Sequence, residues 1–449
     1  MKLKSFLDSQ SGFRYIIEKL SLSSSYSRQV LMDTPFTSTV KDIKAEYENL
    51  ITFYRQFVEK GKFHFTIHGI KDKLSLVRDI RGSVLRLERG VTLDDVELFE
   101  LKSLALICED INHIFKETGL NVDYLNLCDL SSVLNVLDPE GHRISSFYVY
   151  ESYSVELSQI RKEIKSAEIF NEELHFQASL IEENVRKELC NKLMEDVKNI
   201  RDSLSALANL DIIIAKSLQI KELNLTFPEI SKKELSFIGL FNPEVSDNIS
   251  KDGRDFQKID IGIGNYKPVL ITGANMGGKS VTLKTLALSQ ILFHFSFGIP
   301  ATSASISAVN EVFLISGDYQ DISKGLSSFA SEMIKIDEVI KALNAGKRIL
   351  ALIDEPAGTT NPLEGTALVS SLLSRLSDKD SFIVITTHYN IDKAECKRLR
   401  VKGYCDGKMD YSLVASEGNE APREAIKIAR SLNIDESWIN EAELNVNQR

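Results

Sequence analysis

The sequence has few features of a secreted or membrane protein. Its 449 residues contain five cysteines, none of which lies in a Cys-x-x-Cys pair. Scattered cysteines predict reduced thiols and make a zinc site improbable. No apolar run approaches the roughly 20 residues that a membrane helix needs, and the first segment, MKLKSFLDSQSGF, becomes polar too early for a secretory signal. We therefore expect a cytoplasmic protein without a membrane partner.

The sequence also lacks an excess of basic residues. Its formal net charge is −10, with 54 Lys and Arg against 64 Asp and Glu. This balance argues against a protein whose whole surface binds a polyanion, although it permits a local basic groove. The content of 43% hydrophobic and 26% charged residues is typical of a globular protein. The length predicts two or three domains.

The first half of the chain has long stretches without helix breakers. Residues 154–218 contain neither proline nor glycine. An earlier run repeats apolar residues at helical spacing between a predicted Thr92 cap and Gly119. Between these two stretches, Pro139 and the glycine that follows it predict a turn and a short hairpin. We expect residues 1–230 to form an all-α domain.

The second half alternates short apolar runs with helix-like segments. The apolar runs are YKPVLITG, EVFLIS, RILALIDE and SFIVITTH, and helices are predicted from Lys279, over 328–345 and over 364–377. Short apolar runs that alternate with helices indicate a mainly parallel sheet covered on both faces. The sequence therefore predicts an α/β domain over residues 231–449.

A glycine-rich segment lies between the first of these runs and its helix. The pattern Gly-x-x-x-x-Gly-Lys-Ser in that context predicts a phosphate-binding loop. Backbone N–H groups must turn towards phosphate oxygens there, and side chains would obstruct them. The positive end of the next helix points at the same oxygens. The predicted ATP-binding residues are Gly273, Ala274, Asn275, Met276, Gly277, Gly278, Lys279, Ser280 and Val281.

The residues that bear the chemistry follow predicted strands. We expect Lys279 to reach the β- and γ-phosphates and the Ser280 hydroxyl to bind Mg²⁺. Asp354 and Glu355 end a buried run, at the edge where open α/β sheets bind ligands. Asp354 is expected to hold the Mg²⁺ shell, and Glu355 to polarise the attacking water. His388 ends the neighbouring run and is predicted to sense the γ-phosphate.

Four motifs in this order resemble the ATPase domain of MutS proteins, which are relatives of the ABC-type ATPases: TGANMGGKS, LSSFASEM, LIDEPAGTTNPLEG and TTHY. The resemblance implies a P-loop (ABC-type) ATPase domain with a mainly parallel sheet, preceded by an all-α lever domain. It also implies a homodimer, to which helices at about 420–445 contribute. In such dimers, Ser327 and Ser328 of one copy would meet the γ-phosphate held by the other.

The helical half departs from mismatch-repair MutS proteins. The resemblance places the chain in a compact MutS-like branch without the mismatch-recognition domain, with 165–195 as a rudimentary clamp or none. From Arg161 to Arg201 the chain has eight basic residues and nine acidic ones. A stripe that grips phosphates should be clearly basic. The segment DEPAGTTNP also departs from the family's pattern.

Three functions stay open on this basis. In the first, ATP binding and hydrolysis move the lever helices on mismatched or branched DNA, in repair or recombination. In the second, the lever acts on a protein client, as in compact MutS-like proteins that resemble this chain and reactivate cobalamin-dependent aminomutases. In the third, the chain is a nucleotide-controlled dimeric scaffold with negligible turnover. Glu355 argues against the third function, because a module that only binds needs no water-polarising carboxylate.

Overall fold

The structure is a computed structural model. It describes residues 1–144, 146–167, 170–273, 277–316, 328–391, 394–405, 408–416, 426, 429–430 and 435–447. The chain forms two compact units. Unit 1 consists of Met1–Leu20, Thr34–Glu48 and Gln219–Arg449, and unit 2 consists of Ser21–Asp33 and Asn49–Leu218.

Helices and strands follow one another as the sequence pattern predicts, with helices first and alternating elements later. The described helices are α1 (Phe13–Glu18), α2 (Ser25–Asp33), α3 (Val40–Phe53), α4 (His64–Leu74), α5 (Arg81–Glu88), α6 (Asp95–Thr118), α7 (Ser131–Leu137), α8 (Val155–Ser166), α9 (Glu172–Leu193), α10 (Val197–Glu222), α11 (Pro243–Lys251), α12 (Lys279–His294), α13 (Ser328–Asn344), α14 (Pro362–Leu376) and α15 (Glu436–Asn447). The described strands are β1 (Glu229–Ser231), β2 (Glu234–Leu240), β3 (Ile259–Gly264), β4 (Val269–Thr272), β5 (Ser303–Ser307), β6 (Glu311–Ile315), β7 (Ile349–Asp354), β8 (Phe382–Thr386), β9 (Lys397–Cys405) and β10 (Lys408–Ala415).

The division into units differs from the predicted boundary at residue 230 in two respects. The boundary falls inside α10, between Leu218 and Gln219. Residues 1–20 and 34–48 belong to the same unit as the C-terminal half, whereas the sequence analysis assigned them to the helical half.

An aromatic cluster explains why the N-terminal segments belong to unit 1. The rings of Phe6 and Phe36 contact Phe295, with centroids 5.7 and 5.9 Å apart. The Tyr47 hydroxyl donates to the carbonyl of Phe297 at 2.8 Å. Buried aromatic rings contribute much of the stabilisation of a core. The apolar spacing of a short segment does not reveal which neighbour it packs against, so the sequence could not show this pairing.

Unit 2 is helical, with no strand among its described residues. Helix α6 of this unit begins after Asp94 and not after the predicted Thr92 cap. Asp94 Oδ1 accepts the N–H of Glu97 at 2.8 Å, and Glu97 Oε2 accepts the N–H of Asp94 at 3.1 Å. This reciprocal capping box satisfies two N–H groups at once, which the Thr92 hydroxyl does not do. The helix ends at Gly119, as predicted, with φ 66°.

The hairpin predicted after Pro139 is absent from the described residues of that segment. A buried ion pair holds the segment instead of cross-strand hydrogen bonds. Lys102, which is fully buried, contacts Asp138 Oδ1 at 3.0 Å and donates to the Tyr150 hydroxyl at 2.9 Å. Asp138 also accepts the N–H of Arg143 at 2.8 Å. Because both charges are buried, each needs the other's hydrogen bonds.

The region predicted as a rudimentary clamp forms part of a helical hairpin made by α8 and α9. Ala178, Val185 and Leu189 of α9 are buried in the core of unit 2. Phe170 and Phe176, nearer the hairpin tip, are 75% and 58% exposed. These buried positions show that one side of α9 contributes to the core of the unit.

One helical run, Glu172–Glu222, is long and apolar enough to cross a membrane by length and composition alone. Its most apolar 18-residue window has a mean hydropathy of 1.2 and is 78% buried. Burial of this extent is what the core helix of a globular unit shows.

Unit 1 contains two sheets. The six-stranded sheet has the order β10-β9-β4-β8-β7-β6, and the four-stranded sheet has the order β1-β5-β2-β3. In the larger sheet only the pair β9–β10 is antiparallel, and the other four pairs are parallel. Helices α13 and α14 share a core with alternate residues of β7, including Ala351 and Ile353. Leu350 and Leu352 point to the opposite face and are also buried, so both faces are covered.

Candidate functional site

The C-terminal ends of β4, β7 and β8 lie at one edge of the six-stranded sheet. Asp354 pairs in register with Thr386, and Thr386 pairs with Ile271. The glycine segment follows β4, the two acids end β7, and the predicted histidine follows β8. Parallel strands therefore bring these three segments to the edge at which such sheets bind ligands.

Two glycines shape the segment between β4 and α12. Gly273 has φ 144°, and a Cβ there would lie 3.0 Å from Cβ of Val401. Gly278 is the N-cap of α12 with φ 75°, and its Cβ would lie 3.0 Å from the ring of Tyr411. Other residues are disfavoured by both the left-handed backbone and the close neighbours. At these two positions the backbone therefore requires glycine.

Lys279 is the first residue of α12, and its side chain is only 4% exposed. Its Nζ donates to the carbonyl of Gly273 at 2.9 Å and lies 3.2 Å from Glu355 Oε1. The ammonium group is thus held over the glycine segment, beside the carboxylate that the sequence predicts as the base.

Glu355 has a left-handed backbone, with φ 48°. Its N–H donates to the carbonyl of Thr386 at 3.1 Å and to Thr386 Oγ1 at 3.0 Å. The same hydroxyl donates to Asp354 Oδ1 at 2.5 Å. Thr386 is fully buried, so one threonine of β8 holds both the Asp354 carboxylate and the Glu355 backbone. The motif TTHY contained this threonine, but its bonds to a neighbouring strand were not evident from the sequence.

His388 completes the cluster. Its Nδ1 lies 3.7 Å from Glu355 Oε2, and its ring packs against Tyr389 with centroids 4.4 Å apart. The side chain is 43% exposed, so it is accessible to a ligand. The structure therefore brings together Lys279, Glu355 and His388, the three residues predicted to be catalytic.

The remaining predicted residues are placed in part. Gly277 is buried, Ser280 is exposed in the first turn of α12, and Asp354 is half-buried at the end of β7. Ser328 begins α13. Residues 274–276 and Ser327 lie outside the described residues. No group of three or more His, Cys, Asp or Glu able to hold a metal occurs in the described part of the chain.

The oxygen donors at this edge suit Mg²⁺ more than a tightly caged metal. Mg²⁺ is usually held by one or two protein oxygens together with water and substrate phosphates. Ser280 offers a hydroxyl and Asp354 a carboxylate. A two-residue donor set beside the predicted phosphate-binding segment fits that coordination.

A cavity of about 330 Å³ borders the glycine segment, and the sequence analysis did not predict it. Its walls come from α11, α12, the segment before β3 and β10. The lining residues are Leu240, Val245, Ile249, Arg254, Asp255, Phe256, Gln257, Ile259, Gly278, Val281, Thr282, Thr285 and Tyr411. An apolar cavity with a few polar groups beside a phosphate site is typical of a small-molecule pocket.

Two side chains near Glu355 have shifted pKa values. Burial raises the pKa of the Glu332 carboxyl, while a hydrogen bond from the N–H of Ala357 opposes the shift. Burial, followed by the nearby charges of Glu332 and Glu355, raises the pKa of the Tyr389 hydroxyl. Glu332 is thus a buried acid beside the site. It lies in the motif LSSFASEM, but the sequence analysis assigned it no role.

Comparison with known proteins agrees with this geometry. Residues 269–444 match MutS domain V. Endonuclease MutS2 of Lactobacillus acidophilus is 35% identical over 214 residues, which cover 46% of this chain and 26% of that protein. Endonuclease MutS2 of Caldanaerobacter subterraneus subsp. tengcongensis is 27% identical over 440 residues, or 93% of this chain and 53% of that protein. The chain thus spans about half the length of these relatives or less.

Proposed function

The chain belongs to the MutS family, and from that premise we propose that unit 1 binds ATP with Mg²⁺ and hydrolyses it. One observation carries the proposal. Lys279 Nζ lies 3.2 Å from one carboxylate oxygen of Glu355, and His388 Nδ1 lies 3.7 Å from the other. A cation, a carboxylate and an imidazole therefore meet at the sheet edge where Gly273 follows β4, and the carbonyl of Gly273 accepts from Lys279 Nζ.

The triphosphate would lie along the glycine segment, against the N-terminus of α12. Lys279 would bind the β- and γ-phosphate oxygens, and the apolar cavity would take the base and ribose. Mg²⁺, held by Ser280 and Asp354, would neutralise phosphate charge. Glu355 would accept a hydrogen bond from the attacking water, and His388 would contact the γ-phosphate. Thr386 would keep both acids in place through its hydroxyl.

We propose that two copies of the chain form a homodimer through this unit. Helix α15 supports the idea, because Trp438 and Leu444 are each 62% exposed whereas Ile439 is 4% exposed. Large apolar side chains on one helix often mark an interaction surface. Ser327 and Ser328 of one copy would then meet the nucleotide of the other, and closure of the dimer would move the lever helices.

DNA is the first candidate for what the lever helices act on. The relatives are named Endonuclease MutS2, and a nuclease acts on nucleic acid. On this proposal the chain binds mismatched or branched DNA during repair or recombination. Filter binding to duplex, mismatched and branched DNA at about 50 and 200 mM salt tests it, because phosphate contacts make affinity fall steeply with salt.

A protein client is the second candidate, and ion pairs in the α8–α9 region favour it. Arg161 lies 2.7 Å from Glu182, and Arg186 lies 3.2 Å from Asp95. Arginines that are paired with acids within the chain are not available for phosphates. On this proposal ATP-driven motion remodels a metabolic enzyme, for example a cobalamin-dependent aminomutase. Weak DNA binding without salt dependence, together with recovery of one enzyme in near-stoichiometric amounts, would favour the client.

Phosphate release by the purified chain tests the ATPase proposal itself. The expected result is ATP-dependent release that requires Mg²⁺ and is lost with a chelator. No release with saturating ATP and Mg²⁺ would contradict the proposal.

We also propose a cytoplasmic location, which the five free cysteines support because that compartment keeps thiols reduced.

A further inference from the structure

Glu332, in the second turn of α13, is a buried carboxyl that the proposed mechanism does not use. It is 6% exposed, and its Oε2 accepts the N–H of Ala357 at 3.2 Å. Burying a carboxyl is unfavourable unless it is hydrogen-bonded. Here the bond goes to backbone two residues beyond Glu355, the predicted base.

Ala357 is held by hydrogen bonds on both sides of its backbone. Its N–H donates to Glu332, and its carbonyl accepts the hydroxyl of Tyr389 at 2.7 Å. Ala357 is 1% exposed and has φ 59°, while Glu355 has φ 48°. Left-handed residues other than glycine persist where their surroundings hold them. Glu332 and Tyr389 are two side chains that hold Ala357 by hydrogen bonds.

Tyr389 is itself fixed by its neighbours. Its N–H donates to Thr387 Oγ1 at 3.0 Å. Gly365 of α14 lies so close that a Cβ there would be 2.5 Å from the tyrosine ring. The carbonyl of Ala357 is therefore attached to a side chain with little room to move, and Glu332 supplies the attachment on the other side.

We propose that Glu332 is a positioning residue for ATP hydrolysis, which anchors Ala357 to α13 and thereby sets the direction of the Glu355 carboxylate. This inference rests on the proposed role of Glu355. Helix α13 begins at Ser328, one of the residues predicted to meet the partner's nucleotide. The hydrogen bond from Ala357 to Glu332 therefore links that end of α13 to the carboxylate that polarises water.

A merely structural role for Glu332 would lower stability without a selective effect on hydrolysis. The positioning role has a different signature, because Glu332 is buried and is hydrogen-bonded to the Ala357 backbone. ATP binding should be kept while the chemical step slows, since a small displacement of a catalytic group can reduce a rate about 100-fold. The ratio of the change in kcat to the change in KM separates the two roles.

The test compares three variants of the full chain with the wild type. Glu332→Ala removes the acceptor, Glu332→Gln keeps an amide oxygen in its place, and Glu338→Ala is a control at an exposed acid of the same helix. Steady-state ATP hydrolysis gives kcat and KM. Hydrogen exchange at the Ala357 amide reports the anchor itself, without any need for activity.

The expected result for Glu332→Ala is a fall in kcat of about 10- to 100-fold with KM changed less than about 3-fold. Its Ala357 amide should exchange faster than in the wild type. Glu332→Gln should recover most of the activity and protection, and Glu338→Ala should match the wild type. If Glu332→Ala does not fold, Tyr389→Phe, which removes the other bond to Ala357, should show the same separation of kcat from KM.

Unchanged kcat and unchanged Ala357 exchange in Glu332→Ala, against an active wild type, would overturn this inference alone. A rise in KM at constant kcat would also overturn it, because that result describes a binding residue. A wild-type chain that releases no phosphate would instead overturn the proposed function.

Discussion

Lys279 and Glu355 form an ion pair of 3.2 Å, in which the lysine side chain is 4% exposed and that of the glutamate 32% exposed. The lysine also donates to the carbonyl of Gly273. In the proposed function, phosphate oxygens of ATP would take Lys279 away from Glu355. The carboxylate would then be released to accept a hydrogen bond from water. The same contact would thus connect ATP binding with preparation of the base.

Replacing Lys279 with alanine should strongly weaken ATP binding. A hydrogen bond to a charged group contributes about 1.5–3 kcal/mol, which corresponds to a loss in affinity of about 10- to 100-fold or more. Binding of a fluorescent ATP analogue measures the effect. Lys284→Ala, in the same helix, is the matched control and should bind normally. Equal affinity in Lys279→Ala and the wild type would show that the phosphates lie elsewhere.

Replacing Glu355 with glutamine should separate binding from hydrolysis. The amide keeps the shape of the side chain but does not act as a base, so kcat should fall by roughly 10²- to 10⁴-fold. ATP affinity should be kept, or should rise because Lys279 loses its competing carboxylate. Single-turnover hydrolysis and equilibrium binding measure the two quantities. Normal hydrolysis in this variant would show that another group polarises the water.

Filling the cavity beside α12 should weaken binding of the nucleoside part of ATP and leave binding of its phosphates unchanged. Val281 lines this cavity and lies two residues after Lys279. Val281→Trp should weaken ATP binding by about 10-fold or more, because the ring takes the space proposed for the base. Competition by inorganic tripolyphosphate should be little changed, and Val281→Ala serves as the control. Equal loss for ATP and tripolyphosphate would indicate a disrupted glycine segment instead of a blocked pocket.

Acid should destabilise unit 1 through His294, at the end of α12. Its Nδ1 lies 2.7 Å from the carbonyl of Thr37, and its Nε2 accepts the N–H of Val309 at 3.3 Å. This arrangement suits the neutral ring, and burial lowers the pKa of His294 to about 4. The folded state thus binds fewer protons than the unfolded state between pH 4 and 6.5, so stability falls as pH drops through that window.

The free energy of unfolding should fall by about 2 kcal/mol from pH 7 to pH 5 because of this single group. Urea unfolding at the two pH values measures it, with His294→Gln as the variant that removes the titration. His113→Gln, at a side chain that is 73% exposed, is the matched control and should keep the wild-type pH dependence. The same loss in His294→Gln as in the wild type would assign the effect to other groups.

The sequence predicted the sheet and the main cluster because both are encoded locally. Buried runs that alternate with helices imply parallel strands, and parallel strands bring their ends to one edge. The residues that follow β4, β7 and β8 therefore lie at one edge of the sheet, and the strand order β4-β8-β7 makes them neighbours. This reasoning places Lys279 near Glu355 and His388 without knowledge of a single distance. Their catalytic roles stay predictions that the variants above test.

The features that the sequence did not reveal depend on contacts between distant segments. Phe36 packs against Phe295, and Glu332 bonds to Ala357. Neither pair has a characteristic spacing. The cavity likewise joins Phe256 with Tyr411 from segments far apart in the chain. The division at 218/219 differs from the predicted boundary at 230 for the same reason. The sequence indicates that apolar residues near the N-terminus are buried, but it does not identify the residues that they pack against.

Dimer formation is the most direct test of the proposed function, because that function requires two copies of unit 1 to close on ATP and Mg²⁺. Light scattering of the Glu355→Gln variant, at micromolar chain concentration, gives the mass with ATP, with ADP and without nucleotide. The account predicts about twice the chain mass of 50.4 kDa with ATP and Mg²⁺, and a smaller dimer fraction in the other two conditions. A mass that stays at one chain while ATP saturates the site would contradict it.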